Sequence, residues 1–188
     1  MLPSLDMMHQ CAPNVSPVTL AAIIQVESGG NPYALGINGW RGKKPYPKTA
    51  GQAAAFATYF IGAGYSVDLG LMQINSRNLK GLGLSISQVL DPCTNMAAGS
   101  RILSRGYMGA TKRFGEGQDA LRAALSAYNT GNYERGFKNG YVAKYYRLSV
   151  PAPKTAHSPT KATIAIRQPD IYSANSTVFS IEEATTHE

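Results

Sequence analysis

Glu27 stands where a carboxyl is costly. Leu20, Ile23, Ile24 and Glu27 fall at i, i+3, i+4 and i+7, so a helix through them puts Glu27 at the end of an apolar stripe that faces the interior. Desolvation there favours the neutral acid and raises its pKa, the condition under which a carboxyl can donate a proton near neutral pH. The competing reading is a helix-terminal glutamate that turns to solvent beside Ser28-Gly29-Gly30-Asn31-Pro32, and charged residues usually end outside. Two more short motifs carry polar groups at the ends of predicted elements: Gly70-Leu71-Met72-Gln73 and Ala127-Tyr128-Asn129. Each alone is weak, since the first fits a buried turn and the second a helix terminus with Asn as its cap.

The elements that must position these groups can be read from caps and breakers. Ser16-Pro17 and Gly29-Gly30 bracket a helix over about 17–28. From Asn31 to Gly51 the chain is rich in Gly, Pro, Lys and aromatics and holds the only tryptophan, Trp40. This predicts a long irregular excursion or a small hairpin, of the kind that often carries function. A helix over about 52–63 follows, and residues 65–68 are extended. Ser85 and Gln88 form a capping box for a short helix ending near Leu90. Asp91-Pro92 opens a longer helix to Tyr107 or beyond, broken over 114–117. Asp119, at or near an N-cap, begins a helix with Leu121, Ala124, Leu125 and Tyr128 on one face, and Gly131 closes it. A last helix is expected over about 139–148, carrying Tyr141, Tyr145 and Tyr146. The fold class expected is mainly α with a small hairpin or extended segment, divided into a leader (1–10), one domain (11–149) and a flexible tail (150–188) in which 163–166 and 177–181 are candidate partner-binding segments.

Composition narrows the function classes. The longest apolar run, Val18 to Val26, is interrupted by Thr19 and Gln25 and is too short to cross a bilayer, so no transmembrane segment is expected. No secretory signal is visible. Residues 1–149 hold 15 Lys and Arg against 7 Asp and Glu, while 150–188 hold 3 against 4. A basic domain suits an anionic partner such as an acidic cell-wall polymer. No run of five Lys or Arg occurs, and a dedicated nucleic-acid surface is not expected. Cys11 and Cys93 are the only cysteines, in no metal-like spacing, so no metal site is expected. They are either buried thiols or, in an oxidising compartment, a disulfide closing about 80 residues and worth roughly 4–5 kcal/mol at most.

Taken in order, CAPNVSPVTLAAIIQVESGGNP, DLGLMQIN, DPCTNMAAGSRIL and ALSAYNTGN resemble the lytic transglycosylases of the soluble-lytic-transglycosylase type, which have a lysozyme-like fold. Within that group they look like the VirB1-type enzymes that accompany type IV secretion and conjugation systems, and the resemblance covers about residues 11–147. It implies that Glu27 is the catalytic acid and base on the bond between N-acetylmuramic acid and N-acetylglucosamine, with a 1,6-anhydromuramoyl end as product and no cofactor. It also implies that Ser28, Met72 and Gln73 contact saccharide, that Tyr128 bonds near Glu27, that Tyr141 lies along the groove, and that Asn129 supports a helix end. The implied partners are peptidoglycan strands and type IV secretion subunits. The implied location is the periplasm, which favours the Cys11–Cys93 disulfide.

Asp68 is the rival acid. Its context, DLGLMQINS, is similar to DYGILQINS of animal c-type lysozymes, where the aspartate is the second carboxylate. At about 5–5.5 Å from Glu27 it would permit a retaining hydrolase; otherwise it ties its strand to neighbours by hydrogen bonds. A third reading keeps the fold but makes the chain a wall-binding assembly factor without catalysis.

Overall fold

A computed structural model describes residues 1–145. The tail expected at 150–188, its segments 163–166 and 177–181, and Tyr146 lie outside the described residues. Helix α1 (Leu5–Cys11), begun by Ser4 accepting from the Met7 amide, buries Met8 in the core. It thus falls mostly within the stretch expected as a leader. Cys11 is joined to Cys93, with Cα atoms 5.1 Å apart, so the disulfide reading of the two cysteines is the one that holds.

Helix α2 (Pro17–Ser28) has the expected bounds, but its burial is not a stripe. Every residue from Thr19 to Ile24 is buried, as in a helix that runs through the middle of a fold. Pro17 supplies the first helical φ, yet Ser16 makes no side-chain cap. Gly29 ends the helix in the left-handed region at φ 61°.

The excursion after α2 contributes β1 (Leu35–Ile37) and then a loop to α3 (Ala50–Gly62). α3 starts two residues before its expected position because Thr49 accepts from the Gln52 amide at 3.2 Å. β2 (Val67–Leu69) and β3 (Ile74–Asn75) complete an antiparallel sheet of order β1-β2-β3, in which Gly36 pairs with Asp68 and Asp68 with Asn75. The turn between β2 and β3 is the Gly70–Gln73 motif, so the sheet delivers that motif and Asp68 together.

Two short helices follow, α4 (Leu79–Leu82) and α5 (Ile86–Val89), the second with the Ser85–Gln88 capping box in place. α6 (Pro92–Phe114), capped by Asp91 on the Thr94 amide at 2.8 Å, packs along α7 (Gln118–Thr130). α7 is preceded by Gly117 at the cap, with Asp119 in its first turn. The single final helix expected from the sequence is two pieces, α8 (Arg135–Lys138) and α9 (Tyr141–Tyr145). Gly140 turns the chain at φ 76°, and Asn139 accepts from the Tyr141 amide at 2.9 Å. The break lets α9 pack against α2 and α7. Among the described residues no helix is long and apolar enough to cross a membrane.

Candidate active site

Glu27 occupies the last turn of α2, where the helix leaves its apolar packing and meets open space. That space is a cleft of about 840 Å³ whose lining includes Glu27, Asp68, Gln73, Asn75, Tyr128 and Asn129. Burial pushes the Glu27 carboxyl up to about 7; the Asp68 charge adds to the rise, while the Tyr141 hydroxyl and the more distant Lys144 oppose it. The Tyr141 hydroxyl donates to Glu27 Oε1. With that hydrogen committed, Tyr145 is the donor in the 2.6 Å contact between the two tyrosine hydroxyls. Burial raises the pKa of both tyrosines, so the pair remains a source of donated hydrogens.

Asp68 is held from two sides. Asn75 Nδ2 donates to one oxygen at 2.6 Å and Asn38 Nδ2 to the other at 2.9 Å. Burial raises its pKa and the two amides pull against that rise, Asn75 more than Asn38. It therefore bonds β2 to both neighbouring stretches while lining the same cleft as Glu27.

Several residues singled out in the sequence take other positions. Met72 has no exposed surface: its side chain lies in the core against Gly99, where a Cβ would strike the thioether. It cannot present that side chain to a saccharide, as expected of it, and offers its carbonyl, which accepts from the Tyr128 hydroxyl at 2.7 Å. Tyr128, expected to bond near Glu27, makes this bond while lining the same cleft, and the direct bond to the Glu27 carboxyl comes from Tyr141. Tyr141, expected along the groove, is buried in turn at 4% exposure. Ser28 uses its hydroxyl on the helix end, donating to the Ile24 carbonyl and accepting from the Gly30 amide, both at 3.2 Å. Gln73 lines the cleft at φ 50°, the one non-glycine with positive φ among the described residues. Its amide closes the turn by donating to Gly70 and Ala34 carbonyls at 2.9 and 3.1 Å. Asn129 accepts from Asn139 at 3.1 Å, joining α7 to the turn before α9.

Asn95 went unmarked in the sequence. Buried on α6, it accepts from the Met72 amide at 2.8 Å and donates to the Leu69 and Val89 carbonyls at 2.9 and 2.7 Å. An amide in the apolar register of a helix is the signal that could have found it. Among the described residues no group of three or more His, Cys, Asp or Glu is placed to hold a metal.

Residues 5–147 match the family described as Transglycosylase SLT domain. The chain is 41% identical over 167 residues to the type IV secretion system protein virB1 of Brucella abortus biovar 1, covering 88% of this chain and 69% of that one. It is 45% identical over 139 residues to the protein of that name in Brucella suis biovar 1, covering 73% and 58%. Against protein virB1 of Agrobacterium fabrum it is 44% identical over 136 residues, covering 72% and 55%. No solved structure matches the chain significantly.

Proposed function

The chain belongs to the transglycosylase SLT domain family, and from that premise we propose that it cleaves the β-1,4 bond between N-acetylmuramic acid and N-acetylglucosamine in peptidoglycan. The observation that carries the reading is the Glu27 carboxyl, poised at about 7 in an open cleft and bonded by a buried tyrosine. Protonated Glu27 gives its proton to the glycosidic oxygen as the C1–O bond breaks. The carboxylate, steadied by the Tyr141 hydroxyl, then takes the proton of the muramoyl C6 hydroxyl as O6 closes on C1. The proton lost in the first step is regained in the second, no water is consumed, and a 1,6-anhydromuramoyl end remains.

Gln73, Tyr128 and Asn129 are placed to border the glycan. Ser28 and Met72 act by shaping the backbone beneath it. The catalytic unit, expected at 11–149, takes in α1 as well, because Met8 and the disulfide tie that helix to the core. The names of the Brucella relatives tie those proteins to a type IV secretion system; joined to the wall chemistry proposed here, this gives a role in opening the wall, in the periplasm, for a secretion or conjugation apparatus whose subunits are partners.

Asp68 keeps a second reading in play, that of a retaining muramidase, because it lines the same cleft. Both its oxygens already accept side-chain amides, which favours an electrostatic and structural role. Mass spectrometry of digested wall separates the readings: anhydro ends are expected, and ordinary reducing ends as the sole product would refute the transglycosylase.

Two substitutions should move the pH profile in opposite directions. Tyr141→Phe removes a donor that favours the ionised carboxylate, so the Glu27 pKa rises further and the alkaline limb of lysis moves up by about one pH unit, with a lower maximal rate. Asp68→Asn removes a neighbouring negative charge, so the same limb moves to lower pH, by less, while the rate at the optimum stays within about tenfold of wild type. A shift in the wrong direction in either variant would remove the electrostatic account. A collapse of Asp68→Asn by the factor of about 10⁴ seen when an essential group is lost would restore the nucleophile.

A further inference from the structure

The segment from Asn38 to Lys44 joins β1 to the loop before α3, and its residues are disposed as if to receive a ligand. Trp40 is 36% exposed, yet its ring is fixed. The indole Nε1 donates to the Lys43 carbonyl at 3.3 Å, and the ring meets Phe60 and Tyr65 edge-on at 5.2 and 5.6 Å between centroids. Gly42 makes room for it: a Cβ there would stand 2.5 Å from Cζ2 of the indole. Tyr65 and Asn38 line the cleft that holds Glu27, so the indole packs against one of that cleft's lining residues.

Charge around this ring is one-sided. Arg41, Lys43 and Lys44 are exposed, and no acidic residue occurs anywhere between Ser28 and Val67. The ion pairs among the described residues lie elsewhere, at Arg113–Glu134 and Arg122–Asp119. A row of cations with no ion-pair partner among the described residues, beside a fixed apolar platform, suits a ligand that is both anionic and partly apolar. Neutral sugar hydroxyls do not need it. The peptide stems carried by muramoyl residues fit, with their free carboxylates and alanyl methyl groups.

We propose that Trp40, Arg41, Lys43 and Lys44 form a subsite for the peptide stem of a glycan strand, so that the chain prefers strands that still carry stems. The proposal rests on reading the cleft as a peptidoglycan site. Exposed ion pairs are individually weak, and three of them support a preference of about tenfold.

The test uses the full chain with Glu27→Gln, to bind without cleaving, and two ligands: purified glycan strands with their stems, and the same strands after an amidase has removed them. The stripped strands keep the lactyl carboxylate, so general attraction to an anionic glycan acts on both. Stem-bearing strands are expected to bind about tenfold tighter at low salt, with the gap closing towards about 0.5 M salt. Arg41→Gln with Lys43→Gln and Lys44→Gln should erase the gap by weakening the stem-bearing complex about tenfold more than the stripped one. Gly42→Ala, which displaces the indole without changing charge, should narrow it. Equal affinity for the two ligands, or equal loss on both in the triple variant, overturns the subsite. Wild-type chain incubated in parallel should release anhydro ends from both strands; if it releases none, the underlying reading falls and the subsite with it.

Discussion

Glu27→Gln is expected to lower wall lysis by a factor on the order of 10² to 10⁴ or more while leaving the fold and saccharide binding in place. The loss is large because no other group in the cleft is equipped for both proton transfers: the oxygens of Asp68 are held by Asn75 and Asn38, and the tyrosines hold their protons. The fold survives for a reason contained in the same pKa. In the folded chain the carboxyl titrates at about 7 rather than at the ordinary 4.5. Between those values the native state keeps a proton that the unfolded chain has released, so stability falls as pH rises through that window and levels off above it. Gln carries no such penalty. Above pH 7 the variant should be at least as stable as wild type, by as much as roughly 3 kcal/mol, a bound reduced by the partial exposure of Glu27 and by a weaker bond from Tyr141. Urea unfolding at about pH 5 and about pH 8 checks this. Lysis retained within tenfold would sink the assignment of Glu27, and a stability difference that does not change with pH would sink the burial argument.

The sequence showed the position of Glu27 more clearly than its surroundings. The apolar stripe leading to it is part of a helix buried on every side from Thr19 to Ile24, so amphipathic periodicity marks only its last turn. What makes Glu27 distinctive is that α2 ends at a cleft, and the walls of that cleft come from β2, the turn after it and the end of α7. Caps and breakers at Ser85, Asp91 and Gly131 located their helix ends well, because they act within a few residues of themselves, whereas the cap at Thr49 went unread and left α3 two residues late. The contact between Tyr141 and Glu27 spans 114 residues. It depends on Asn139 and Gly140 breaking the last helix so that α9 can meet α2, and a helical period read across that break hides it. The resemblance implied that Tyr128 bonds near Glu27, but the helical period of α7 could not say that its hydroxyl would find the carbonyl of Met72. For the two cysteines, the residues alone left buried thiols and pairing open, and only the compartment implied by the resemblance favoured the disulfide that the packing of α1 on α6 accommodates.

Asn95→Ala should destabilise the chain by about 3 kcal/mol, although Asn95 touches no part of the cleft. Its side chain, 1% exposed, serves three backbone groups at once: the Met72 amide and the carbonyls of Leu69 and Val89. Each buried group left without a partner costs about 1–3 kcal/mol, and water entering the vacated space can recover part of that. Replacement size therefore decides the ranking. Asn95→Leu fills the space, excludes water and withdraws the amide from all three groups, so it should cost more than Ala. Asn95→Asp keeps an acceptor for Met72 but brings a carboxylate against two carbonyls, and should also cost more than Ala at neutral pH. The consequence for function follows from what the amide holds. Met72 presents its carbonyl to Tyr128, and Gln73, the next residue, lines the cleft at a strained φ of 50°. Loosening this turn should lower lysis at temperatures well below global unfolding, with the alkaline limb set by Glu27 unmoved, because α2 and α9 are not tied to Asn95. Parallel urea unfolding and lysis against temperature read the two effects separately. An Asn95→Ala chain within about 0.5 kcal/mol of wild type, or one that loses activity only as it unfolds, would mean that the turn is held by Gln73 and the sheet alone.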